Sequence, residues 1–265
     1  MVVLDALGHF DVLRLRQVMR HYIHDRVPAA AAEAPLSKLL EEDIDSLIRS
    51  SLQHVHVFRP QSSASLITTI QNLPSYLLDS GQHFSSGRAL QGVLLDGVSA
   101  FVWQDRMDND IQRIESNHND ASNAFVKRYQ ELVTSLRAVQ QLFDCVIVAT
   151  NWGLSPMIST SAPLAFRPRL PSIWSSFCTL KLVVERVSVT KFREGLSAEA
   201  AWREAKARQE VVEKGRFSGW VNWWGCEEWS GGVRDGLEAE GEGFTLRITG
   251  DGVEVDDEVC RWRKG

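Results

Sequence analysis

Cysteine is scarce and poorly placed for chemistry. The four thiols, Cys145, Cys178, Cys226 and Cys260, are far apart, with no CxxC and no histidine pair beside them. That spacing argues against a zinc site and describes reduced thiols of a cytosolic or nuclear protein. No apolar run approaches the ~18 residues of a membrane span, and the N-terminus has neither the basic start nor the apolar stretch of a signal peptide. A soluble intracellular protein with no membrane contact is therefore expected. Positive charge is also short, with 29 Lys and Arg against 34 Asp and Glu, a formal net charge of −5 and a pI near 5.8. That balance argues against a basic wrapper of nucleic acid, while leaving room for a local positive groove. Nowhere does GxxxxGK[ST] occur, so the glycine cradle and lysine that hold β- and γ-phosphates are absent from this chain.

What is present is an ordinary folded composition, 44% hydrophobic and 24% charged in 265 residues, enough to bury a core without staples. The chain is organised around residues 90–105, LQGVLLDGVSAFVWQD. Val93, Leu94 and Leu95 run into a carboxylate at Asp96, and small residues follow at once, as when a buried strand delivers an acid to the C-terminal rim of a sheet. Open α/β sheets bind ligands at such rims. An acid there can hold magnesium, although a buried strand also stops at an Asp cap for structural reasons alone.

Val2-Val3-Leu4 reads as a second strand, ending at Asp5, and Phe10, Leu13, Val18 and Ile23 follow at helical spacing. A buried strand opening at residue 2 suggests that this chain begins inside a fold. Residues 27–35 are a low-complexity insertion. Residues 36–52 form an amphipathic helix, 54–58 a strand, and 62–78 a helix bent or ended at Pro74. His54 and His56 share a face of that strand, but a metal would need a third ligand. Residues 104–122 read as a polar surface loop, 125–143 as a helix and 145–150 as a second apolar strand with Asn151 on its rim. Strand, helix, strand in this rhythm means a parallel α/β sheet.

Residues 152–171 hold four prolines and describe a long rim loop whose only charges are Arg167 and Arg169. These two could touch a phosphate backbone, though solvated charges are the commoner explanation. A strand with a charged break at Glu185-Arg186 is expected over 177–189. Residues 195–241 read as an insertion, a charged helix followed by Trp220, Trp223, Trp224 and Trp229, whose cluster suits a small satellite core or a partner patch. Residues 243–255 close the chain as a hairpin turning at Gly250-Asp251-Gly252.

The order of these pieces resembles the ATPase core of the RecA-like recombinases, and more closely their eukaryotic paralogues of homologous recombination. VVLDALGHFDVLRL is similar to the family's strand and helix after Walker A, and GVLLDGVSAFVWQDR to its Walker B strand. VIVATN resembles the strand before the second DNA-binding loop, LPSIWSSFCTLKLVVER the segment after it, and FTLRITGDGVEV the closing hairpin. The resemblance implies a single α/β RecA-like core over 1–265, with a mainly parallel central sheet flanked by helices and a C-terminal β-hairpin. It also implies a nuclear protein whose partners are another RecA-like recombinase paralogue and single-stranded or branched DNA.

The departures bear on chemistry. Where recombinases carry the glutamate that activates water this chain has Leu7, and where they have Gln after Asn it has Trp152. Leucine can neither orient nor deprotonate water. Asp96, as magnesium ligand, and Asn151, as phosphate sensor, are the remaining cofactor-binding candidates. No cofactor is expected in the chain as given. ATP and magnesium belong to a longer form, if Walker A lies upstream of residue 1.

Overall fold

The computed structural model describes residues 1–26, 37–116, 124–152, 154–157, 165–189, 192, 195–225, 229–240 and 243–256. The insertion expected at 27–35 lies outside them. The chain divides into two compact units.

The first unit is built on a four-stranded sheet. Its strands are β1 (Val2–Asp5), β2 (His56–Phe58), β3 (Gly92–Asp96) and β4 (Val146–Ala149), in the order β2-β1-β3-β4, and every pairing is parallel. Parallel neighbours need crossovers, and helices supply them. They are α2 (Ser37–Leu52), α3 (Ser63–Leu78), α4 (Val102–Ser116) and α5 (Ala124–Phe143). The four residues of β1 are all buried. Leu4 and Leu95 pack with Leu66, Ile70 and Leu73 of α3 and with Leu132 and Leu136 of α5 in one continuous core. Twenty-odd apolar side chains of this kind, each worth ~1.5–3 kcal/mol on full burial, are what holds the sheet between its helices.

Ser62 caps α3 by accepting from the Ser65 backbone N–H, which satisfies one of the four orphan donors of a helix start. Pro74 lies inside α3 without ending it, and the helix runs on to Leu78. The fifteen-residue α1 (Val12–Arg26) buries none of its side chains, so the apolar spacing around Leu13 and Val18 marks a helix but not a core face.

The second unit carries an antiparallel sheet, β7 (Leu182–Arg186), β8 (Arg216–Val221), β9 (Gly243–Ile248) and β10 (Val253–Asp256), in the order β10-β9-β8-β7. The expected hairpin is present as β9 and β10, and Thr249 N–H donates to the Gly252 carbonyl at its turn. Residues 195–241, read from sequence as an insertion, supply α7 (Ala198–Glu213), β8 and α8 (Gly231–Glu240). Strand β8 is paired on both edges, so this sheet is continuous only because of it. Of the tryptophans, Trp229 is buried, 5.7 Å from Trp223 between ring centroids. Lys181 lies over the Trp229 ring and donates to the Trp224 carbonyl, which is a satellite core rather than an open platform.

Three expectations need correction. Residues 102–116 are helical, not a loop. Trp103, Met107, Ile111 and Ile114 recur at steps of four, four and three, a helical period that the polar majority around them obscures. The strand expected over 177–189 is confined to Leu182–Arg186, because α6 (Ser172–Phe177) occupies the residues before it. Glu185 and Arg186 do not break that strand, since they sit opposite Ser218 and Phe217. Finally, the described ends of the 152–171 stretch are paired strands, β5 (Leu154–Met157) and β6 (Ala165–Pro168).

Candidate functional site

Parallel strands bring their C-terminal residues to one rim, and register decides which. Asp5 and Asp96 are direct partners across β1 and β3, and Leu95 is the partner of Ala149 on β4. The residues just beyond, 6–10, 97–101 and 150–152, therefore converge.

Asp5 is buried, and its carboxylate is fully used. It accepts from the backbone N–H groups of His9 (3.0 Å) and Phe10 (3.2 Å) and from Arg59 Nε (3.1 Å). Burial alone would raise its pKa, but these hydrogen bonds outweigh it and hold the carboxyl below the usual range. Arg59 also donates to the Phe10 carbonyl, so one guanidinium pins the turn after β1 to the end of β2. Sequence reasoning had Asp5 only as a strand end. The signal was available, for VVLD at 2–5 repeats the pattern of VLLD at 93–96.

Asp96 is held differently. The Thr150 hydroxyl donates to Asp96 Oδ1 at 2.7 Å and accepts from the Gly97 backbone N–H at 2.8 Å. The main chain adds Thr150 N–H to the Leu95 carbonyl and Val98 N–H to the Thr150 carbonyl, both at 3.0 Å. Thr150 thus stitches the turn after β3 to the end of β4. Further out, the Ser99 hydroxyl accepts from Trp152 N–H at 3.0 Å. Asn151 lies in the same turn, its side-chain oxygen buried with no hydrogen-bond partner among the described residues.

Gly97 has φ +84°, and a β-carbon there would stand 2.9 Å from Leu7 Cδ1 and closer still to Cγ. Leu7 therefore packs over the turn that follows Asp96. Behind it, Asp105 near the start of α4 is buried and takes the Ser63 hydroxyl (2.6 Å) and the Arg128 guanidinium on one oxygen. Burial, and then the Asp105 charge, push the Tyr129 hydroxyl well above its ordinary pKa, and that hydroxyl donates to the Val98 carbonyl. Arg106 stacks near Trp103 and Phe125 and donates to the Arg169 carbonyl. The side chains of Arg167 and Arg169 are exposed.

These residues do not by themselves fit a nucleotide with its metal. One oxygen of Asp96 is engaged by Thr150, Asp5 is saturated, an alkyl side chain covers the turn between them, and no phosphate cradle exists in the 265 residues. Among the described residues no group of three or more His, Cys, Asp or Glu side chains could hold a metal ion. No described helix is long and apolar enough to cross a membrane.

No family model matches the chain. It is similar to a protein of Arabidopsis thaliana described as a DNA repair protein XRCC2 homolog, 22% identical over 220 residues. The similarity covers 69% of this chain and 57% of that protein, so the chain spans less than two thirds of the relative it matches.

Proposed function

We propose that this chain is a non-catalytic RecA-like paralogue subunit of a recombination mediator complex. In this reading it supports loading of a recombinase on single-stranded DNA in the nucleus, during homologous recombination repair of double-strand breaks and stalled forks. The observation that carries it is Leu7, packed on Gly97 beside Asp96 at the position where the resembled family has its water-activating glutamate. A general base contributes ~10²–10⁴-fold to such a step, and an alkyl chain contributes none of it. The repair context rests on the similarity to the Arabidopsis protein.

A subunit kept for its shape needs a surface for its partner, and α4 offers one. Trp103 (63% exposed), Met107 (65%) and Ile114 (80%) form an apolar stripe with Ile111 along it. The helix has four acids, Asp105, Asp108, Asp110 and Glu115, against Arg106 and Arg113, a balance that suits a protein partner better than phosphate. The partner in this reading is another RecA-like paralogue. DNA is reached through the complex or directly by Arg167 and Arg169. Co-expression with each RecA-like paralogue of the same genome, followed by size-exclusion chromatography, tests it. Co-elution with one of them is expected, and separate elution from all of them overturns the proposal.

A second reading is a DNA-dependent ATPase whose Walker A lies upstream of residue 1, and the carboxylate that Thr150 holds at the rim favours it. Protein made from the full native transcript would then bind labelled ATP, and Asp96→Ala would abolish that binding. Failure of the full-length protein to bind ATP removes the reading.

A further inference from the structure

At the opposite end of the parallel sheet, where the strands begin, the first unit has an open cleft of about 650 Å³. It is remote from the rim, and nothing in the function proposed above uses it. One wall is apolar, made by Leu77 and Leu78 at the end of α3 and by Leu142 and Phe143 at the end of α5. More than half the surface of Leu78 and of Leu142 is open to solvent, so this wall is available rather than packed.

The other wall is polar and built. Ser85 Oγ lies 2.8 Å from His54 Nδ1 and 2.9 Å from His56 Nε2, and His56 Nδ1 is 3.0 Å from the Tyr76 hydroxyl. His56 is buried, and its ring meets the rings of Tyr76 and His83 edge-on. Burial is the first cause that lowers the pKa of both His54 and His56, so both imidazoles are neutral near pH 7 and carry hydrogen bonds rather than charge. Ser86 and Arg88 complete the mouth. Arg88 is the only charged side chain in the lining, and no carboxylate stands among the lining residues. It makes no ion pair with a described residue.

A concave site with a continuous apolar wall, a few fixed hydrogen-bonding groups and one uncompensated cation selects for a defined chemistry. We propose that this cleft binds a small organic anion, a carboxylate carried on an apolar body, with the head at Arg88 and the Ser85–Ser86 hydroxyls and the body along Leu77, Leu78, Leu142 and Phe143. Its volume lies within the ~300–1,000 Å³ of ordinary small-molecule sites. A guanidinium is the natural partner for a carboxylate because its fork of N–H donors matches both oxygens.

Isothermal titration calorimetry of the purified chain with three ligands of one tail length, decanoate, decanol and decyltrimethylammonium, separates head from tail. Saturable one-to-one binding of decanoate is expected, with decanol about tenfold weaker or more, as a lost charge-assisted hydrogen bond implies. The cation should not bind. Arg88→Gln should weaken decanoate about tenfold and leave decanol unchanged, and Leu142→Asp should remove both. Each variant is exposed, and circular dichroism checks that it stays folded. Equal affinity for decanoate and decanol, an unaffected Arg88→Gln variant, or no decanoate binding would overturn the proposal.

Discussion

Leu7 occupies the space that a side chain on Gly97 would need, 2.9 Å from Cδ1 to where a β-carbon would lie. One residue belongs to the turn after β1 and the other to the turn after β3, so the two acidic strand ends share a lid made of hydrocarbon. Chemistry that needs an ordered water beside Asp96 meets an alkyl group there instead.

Gly97→Ala is accordingly expected to be costly for two separable reasons. The positive φ costs ~1–2 kcal/mol for any L side chain, and the clash with Leu7 adds to it. In urea unfolding, the double variant Leu7→Ala/Gly97→Ala should recover the clash but not the backbone part. A strictly additive double variant would mean that the two residues do not touch.

Thr150→Val keeps the shape of the side chain and removes the hydroxyl that bridges Asp96 Oδ1 and Gly97 N–H. The expected loss is ~1–2 kcal/mol, since a donor and an acceptor lose their partner together. Thr150→Ser should restore most of it. The measurement is the shift of the denaturation midpoint at constant slope.

Acid should reveal Asp5. Its native pKa is depressed by the Phe10, Arg59 and His9 hydrogen bonds, which overcome burial. The stability it contributes is therefore present above the unfolded carboxylate value and is lost as pH falls through the native one, below about pH 4. In Asp5→Asn the low-pH limb of the stability profile should flatten, with a lower plateau at neutral pH. An unchanged limb would show that Asp5 is not the group involved.

The histidines give the opposite window. Burial lowers the native pKa of His56, so the unfolded chain takes up protons first as pH drops below about 6.5. Stability should fall from pH 7 toward pH 5, and His56→Gln should remove part of that slope while keeping a polar group near Tyr76 and Ser85. Urea midpoints at half-unit pH steps decide it.

The α4 stripe separates folding from association. Met107→Glu with Ile114→Lys changes exposed positions, so stability should move by less than about 0.5 kcal/mol. Co-elution with a RecA-like paralogue should be lost. Loss of folding instead would mean that the stripe is core.

Much of this molecule was written in its local order. Runs such as VVLD and VLLD, ending on acids and separated by helical periods, fix parallel strands with crossovers, because side-chain periodicity and crossover length are properties of neighbouring residues. The hairpin at β9 and β10 was legible from its glycine turn for the same reason. Helix α4 was not, since its four apolar residues face solvent and the polar ones around them outvoted a correct period.

What the sequence could not supply was partnership. That Asp5 stands opposite Asp96, that Thr150 rather than Asn151 holds the rim acid, and that Ser85 joins two histidines thirty residues away are matters of strand register and crossover packing. Local composition sets which residues end a strand. Only the folded sheet, by placing strand ends side by side, decides which of them meet.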